Sequence, residues 1–126
     1  VPAHMKNWIR EANIEAETVK ETFEIIAASH IRFERIHPFS DGNGRTGRMI
    51  VNQQLINHGF LPVSIPPTGK YREAFRRYDK GEDLSEMVYV LLKSELESFE
   101  RVRSLALKLS KDREKQKKEI KHLQNR

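Results

Sequence analysis

Apolar residues recur along this chain at three- and four-residue steps and nowhere in sustained alternation, so the pattern predicts helices joined by short polar connections. Thr18 followed by Glu21 forms a capping-box pattern. It opens a helix through Arg35 with Val19, Phe23, Ile26, Ala27, His30 and Ile31 on the apolar-facing side, where His30 reads as a packed core histidine. A second helix spans Arg45 to His58 and stops at Gly59, a residue suited to the C′ position, with Met49, Ile50, Leu55 and Ile56 as candidate core. Pro62, Pro66 and Pro67 then require an extended connection. A short helix from Lys70 to Asp79 sets Tyr71, Ala74, Phe75 and Tyr78 on one face. After a turn at Gly81, Asp83 with Glu86 caps a helix carrying Leu84, Met87, Val88, Leu91 and Leu92, expected to continue through Leu105 and Leu109. An N-terminal helix from Pro2 to Asn13 holds Trp8. With no strand longer than a few residues signalled and no internal repeat, the expected fold is all-α.

Composition narrows the picture. A chain of 126 residues with 37% hydrophobic content can bury one modest core. The absence of cysteine excludes a disulfide framework, a thiolate nucleophile and a cysteine zinc site. No apolar run approaches the length of a membrane span and the first residues lack a signal-peptide pattern, so a cytoplasmic location is expected. The net charge of +5 is unevenly distributed: residues 101–126 carry a balance of +7, whereas residues 1–100 carry −2. A nucleic-acid partner for the core is therefore not expected. The chain divides into a core over residues 1–100 and a basic helical tail or linker over 101–126, whose autonomous, solvated part begins near Ser110.

The chemistry is concentrated in residues 37–48, which read His-Pro-Phe-Ser-Asp-Gly-Asn-Gly-Arg-Thr-Gly-Arg. Gly42, Asn43 and Gly44 precede a helix, where unpaired backbone N–H groups and the positive end of the dipole favour an anion, most naturally a phosphate. Arg45 and Arg48 lie on one side of the first turn. Their charge opposes the helix dipole, which argues for a ligand rather than a structural role, and guanidinium forks match phosphate oxygens. Asp41 supplies a hard oxygen ligand for Mg²⁺, pointing to a nucleoside di- or triphosphate. His37, at the entry of the loop, offers the side chain best suited to general-base work at neutral pH. Phe39 is expected to anchor the loop in the core. Gly42, Gly44 and Gly47 also satisfy the dinucleotide fingerprint, but a helix rather than a strand precedes them and prolines stand where its acidic residue belongs.

The pattern His-x-Phe-x-Asp-Gly-Asn-Gly-Arg-x-x-Arg resembles the signature of Fic domains, enzymes that transfer AMP from ATP to protein hydroxyls, and the resemblance extends to about residue 93. It implies a Fic-like helical bundle with the motif loop between two central helices. It further implies that His37 deprotonates the target hydroxyl, that Asp41 holds Mg²⁺, that Gly42, Asn43 and Gly44 form the anion hole, and that Arg45 and Arg48 bind the β- and γ-phosphates of ATP. One of the tyrosines of the 70–79 helix is a candidate for the adenine pocket. The expected activity is transfer of AMP from Mg·ATP to a Tyr, Thr or Ser hydroxyl of a protein. A phosphotransferase, a transferase of another nucleotide and a non-catalytic nucleotide-binding module are the alternatives. Two departures matter: the family's β-hairpin flap would precede Val1, and the inhibitory Ser/Thr-x-x-x-Glu-Gly/Asn motif does not occur. Nucleotide binding is therefore expected to exceed target transfer in this span, and restraint is expected from an inhibitory or antitoxin partner or an N-terminal segment.

Overall fold

The computed structural model describes residues 1–38, 41–66 and 68–125. Among the described residues there are five helices and no strand: α1 (Pro2–Ala12), α2 (Val19–Ile36), α3 (Asn43–Asn57), α4 (Gly69–Gly81) and α5 (Ser85–Gln124). The all-α expectation holds. Helix α2 is central and packs against α1, α3 and α5, while α4 lies on α5. No helix among the described residues is long and apolar enough to cross a membrane.

The start of α2 follows from its sequence. Thr18 Oγ1 accepts the Glu21 N–H at 3.1 Å, and Glu21 Oε2 reaches back to the Glu17 N–H, one residue before the partner an ideal capping box would use. Phe23, Ile26, Ala27 and Ile31 then form the floor of a core completed by Val51 and Leu55 of α3, Ala74 of α4, and Met87 and Leu91 of α5. Trp8 locks α1 onto α2: its indole N–H donates to the Ser29 carbonyl at 2.6 Å and its ring tilts against Phe33. An ion pair between Glu11 and Arg32 and a bond from Arg32 Nε to Tyr78 Oη extend the same join to α4.

Several expected core positions are corrected. Val19 is exposed, as are Met49 and Ile56. Helix α3 instead turns Asn43, Gly47, Val51, Gln54 and Leu55 inward, a face that includes a glycine where backbone rather than side chain makes the contact. Asp83 is not the N-cap of α5; Leu84 is, and Asp83 Oδ1 accepts the Ser85 N–H at 2.9 Å one position early. Gly59 does take the left-handed backbone expected of it, with φ +83°.

The connection from α3 to α4 is fixed from both sides. Asn52 pairs twice with Val63, donating from Nδ2 to its carbonyl at 3.1 Å and accepting its N–H at 2.7 Å. From α5, Glu95 accepts the Leu61 N–H and Ser98 donates to the Pro62 carbonyl. This segment buries Val63 and Ile65 beside the start of α4. Ser98 is also the last buried residue of α5, which continues unbroken to Gln124 with every residue from Phe99 onward exposed.

His30 is the buried polar centre of this arrangement, 2% exposed, with Nε2 at 2.7 Å from the Tyr71 hydroxyl. Burial first and the charge of Arg48 second lower its pKa to about 4, with the nearby Gly47 backbone acting in the opposite sense. Burial likewise pushes Tyr71 up to about 12, so the pair stays neutral. A histidine whose folded pKa is depressed contributes stability that is present above its unfolded pKa and lost as pH falls through the folded value. Between pH 7 and pH 4 this should remove about 3 kcal/mol of stability. Urea titrations of the wild type and His30→Gln test it: the variant should show a flatter decline over that window, and parallel curves would disprove the assignment.

Candidate nucleotide-binding site

Where α2 ends, the chain turns out of helical geometry at His37. This residue caps α2 with φ 54°, a left-handed backbone unusual for a side chain with a Cβ, while its N–H still bonds the Phe33 carbonyl at 3.1 Å. Its exposed imidazole lines an open cleft of about 380 Å³ with Glu34, Asp41, Gly42, Asn43, Gly44, Arg45 and Arg48. The structure thus brings together all seven residues singled out from the sequence. Phe39 lies outside the described residues.

Helix α3 begins without a side-chain cap and without an acidic residue in its first turn. Gly42 is the N-cap, with φ +76° and its carbonyl accepting the Thr46 N–H at 3.0 Å. A helix start of this kind presents first-turn amides and the positive dipole end to the cleft. Both arginines fold back toward that end, as side chains on a helix lean toward its N-terminus. Arg45 approaches the N-cap, its Nη2 3.7 Å from where a Gly42 Cβ would stand, and Arg48 lies 3.2 Å from the equivalent point on Gly44. A side chain at 44 would press on the Arg48 guanidinium, and one at 42 would be strained by the left-handed backbone. Two cations held beside an uncapped helix N-terminus are a source of mutual repulsion that a polyanion relieves.

Asp41 is exposed, and its Oδ1 accepts the Gly42 N–H at 2.8 Å, which fixes the carboxylate at the lip of the cleft. Among the described residues no group of three His, Asp or Glu side chains forms a metal cage. The donor set fits Mg²⁺ all the same, because this ion keeps several waters and typically takes one or two carboxylates together with substrate phosphates.

Glu34 is the site residue that the sequence reading missed. It lines the cleft, its Oε1 is buried with no hydrogen-bond partner among the described residues, and burial raises its pKa while the charges of Arg48, His37 and Arg35 pull it back down. The reason for its position lies in α3. A Cβ on Gly47 would stand 2.1 Å from Glu34 Oε1 and 3.3 Å from the Phe33 ring, so the two helices approach through a glycine and the carboxylate fills the space it leaves. The signal was present in the pattern: Glu34 follows His30 by four residues and Ile31 by three, a carboxylate on an otherwise buried face one turn before the loop. The tyrosines of α4 do not line this cleft. Tyr71 is turned onto His30, and Tyr78 lines a separate cavity between α1, α2 and α4. A neighbouring cleft shares Arg45 and Arg48 and is walled by Met49, Asn52, Val63, Ser64 and Ile65.

Comparison with known proteins is consistent with this geometry. The Fic/DOC family model matches residues 1–55. A Fido domain-containing protein of Dictyostelium discoideum is 36% identical over 97 residues, covering 71% of this chain and 68% of that protein. A protein of Aquifex aeolicus named as a probable protein adenylyltransferase is 37% identical over 78 residues, or 60% of this chain and 22% of its own length. A protein adenylyltransferase of Caenorhabditis briggsae is 38% identical over 64 residues, 51% of this chain and 12% of that protein. The chain thus spans less than a quarter of these two adenylyltransferases.

The contact between Gly47 and Glu34 can be tested in isolation. Gly47→Ala should destabilise the fold by about 1 to 3 kcal/mol despite the better helix propensity of alanine, because the added methyl meets the carboxylate. Glu34→Ala in the same chain should recover most of that loss in a denaturant double-mutant cycle. Additive effects would mean that the two side chains do not compete for one space.

Proposed function

The chain belongs to the Fic/DOC family, and from that premise we propose that it carries the core of a protein adenylyltransferase, moving AMP from ATP to a Tyr, Thr or Ser hydroxyl of a target protein. The observation that carries the reading is the start of α3, without a side-chain cap, with Arg45 and Arg48 folded back toward it and His37 lining the same cleft. That arrangement has a place for a polyphosphate and a base beside it.

In this mechanism the start of α3 at Gly42, Asn43 and Gly44 receives the phosphate chain at its positive dipole end, with the Gly42 N–H held by Asp41, and Arg45 and Arg48 neutralise its β- and γ-groups. His37 accepts the proton of the target hydroxyl. The oxygen then bonds to the α-phosphorus as the bond to pyrophosphate breaks, and the arginines hold the charge that develops on the leaving group. Asp41 would hold Mg²⁺, whose role when bound is to neutralise phosphate oxygens. Glu34 balances the charge of Arg48 from below and leaves the open side of the cleft to the nucleotide. The left-handed backbone at His37 fits a residue retained for chemistry, since glycine would hold that turn with less strain.

Incubation with ATP labelled separately on the α- or γ-phosphate tests the proposal. The α-label should enter protein and the γ-label should not; incorporation of the γ-label would identify a phosphotransferase, and nucleotide binding with no incorporation would identify a binding module. Both His37→Ala and His37→Gly should abolish transfer while retaining ATP affinity. His37→Gly should be more stable than His37→Ala by about 1 kcal/mol, because only glycine takes the left-handed turn freely. Asp41→Ala should lower Mg²⁺-dependent ATP affinity and Arg48→Ala should lower ATP affinity generally; calorimetry showing neither would refute those two assignments.

A further inference from the structure

Helix α5 does two different things along its length. As far as Ser98 it buries Met87, Leu91 and Ser94 against the domain; from Phe99 onward it leaves the domain as an exposed helix of about 26 residues, some 39 Å long. Isolated helical segments in water derive most of their stability from covering an apolar face, and this one has such a face. Phe99, Val102, Ala106, Leu109, Ile120 and Leu123 follow the alternating three- and four-residue steps of heptad positions a and d, and all six are exposed. Arg113 and Gln116 occupy the intervening a and d positions, so the seam runs through roughly four heptads without a slip in register.

The charges around the seam identify what covers it. Of the flanking e positions Arg103 and Lys117 are charged and Ser110 is neutral; of the g positions Asp112 and Glu119 are charged, while Leu105 widens the apolar seam. Lys108, Lys111, Lys115, Lys118 and Lys121 occupy b, c and f, so much of the positive excess of the tail lies on the far side. A seam meant for an acidic helix would be flanked by cations on both sides. This one is flanked by one sign on each side, which is self-complementary. In a parallel pair each g position meets the e position five residues on in the partner, which sets Asp112 against Lys117 of the second copy. An antiparallel pair would instead bring e to e and g to g, basic against basic and acidic against acidic. Arg113 at position a lies next to the partner's preceding g position, where Asp112 of the second copy receives its guanidinium, and Gln116 at position d faces its own symmetry mate.

We infer that residues 99–124 form a parallel, in-register coiled coil with a second copy of this chain, so that two domains project from the same end of a common rod. The inference rests on α5 alone and is independent of the proposed chemistry. Analytical ultracentrifugation of the whole chain should report a dimer. Leu109→Glu should weaken it by about 100-fold, as burying a charge at a central packing position does, without changing ATP affinity. Lys117→Asp should weaken it by about tenfold, and Asp112→Lys in the same chain should restore it. Because the chain contains no cysteine, Gln116→Cys gives a single reporter thiol. It should form an interchain disulfide rapidly under mild oxidation, since parallel in-register helices bring the two copies of residue 116 together. A monomer at several hundred micromolar, a dimer indifferent to Leu109→Glu, or a dimer whose residue-116 thiols do not cross-link would each overturn the inference.

Discussion

The approach of α3 to α2 through Gly47 is the constraint on which the site depends. With no side chain at that position, the backbone of α3 lies against Phe33 and Glu34, and the helix start is carried to within reach of the turn at His37. A larger residue would have to displace the Glu34 carboxylate and press on the Phe33 ring, on the turn that carries Arg45 and Arg48. The position of the cations is therefore set by packing beneath them rather than by any contact they make with each other.

Charge follows from the same geometry. Arg48 lies near Glu34, His30 and Tyr71, and it acts on the titration of all three: it favours the ionised form of Glu34 and opposes protonation of His30. The neutral His30–Tyr71 pair beneath the arginine is a polar contact that adds no competing charge, while Glu34 supplies a partial counterion on the inner side. A fully paired Arg48 would have little attraction left for an anion. An Arg48 with no counterion would repel Arg45 across one helical turn. A half-buried carboxylate that is neither bonded to the guanidinium nor remote from it satisfies both requirements.

Much of this was legible in the sequence, for identifiable reasons. Capping at Thr18, the stop at Gly59 and the aromatic face of α4 rest on local rules, and each element formed as those rules require. The motif residues were legible because their chemistry is unusual for a loop: arginines at a helix start and glycines around a polar residue. The inner face of α3 was misread because periodicity counts apolar side chains, and that face includes Asn43, Gly47 and Gln54, the last bonded to Ser29. Met49 and Ile56 were candidate core as apolar residues of that helix and are exposed. Glu34 was missed for a related reason: its spacing from His30 and Ile31 was visible, but only the packing sets it opposite Gly47.

Helix α5 shows how one element can serve two neighbours without a break in its backbone. Its first turns face the domain and end in polar tethers, Glu95 to Leu61 and Ser98 to Pro62, which satisfy backbone groups of the connection beside the site. Those tethers also fix the direction in which the remaining helix leaves. A rigid exit makes the orientation of the exposed seam a property of the folded domain rather than of a flexible linker. Any partner helix laid along that seam is then held at a defined angle to the cleft, although among the described residues none beyond Ser98 is buried against the domain. Mechanical continuity through α5 links the exposed helix to the connection that walls the second cleft, at Val63 and Ile65, because the tethers stand on the turns immediately before the helix departs.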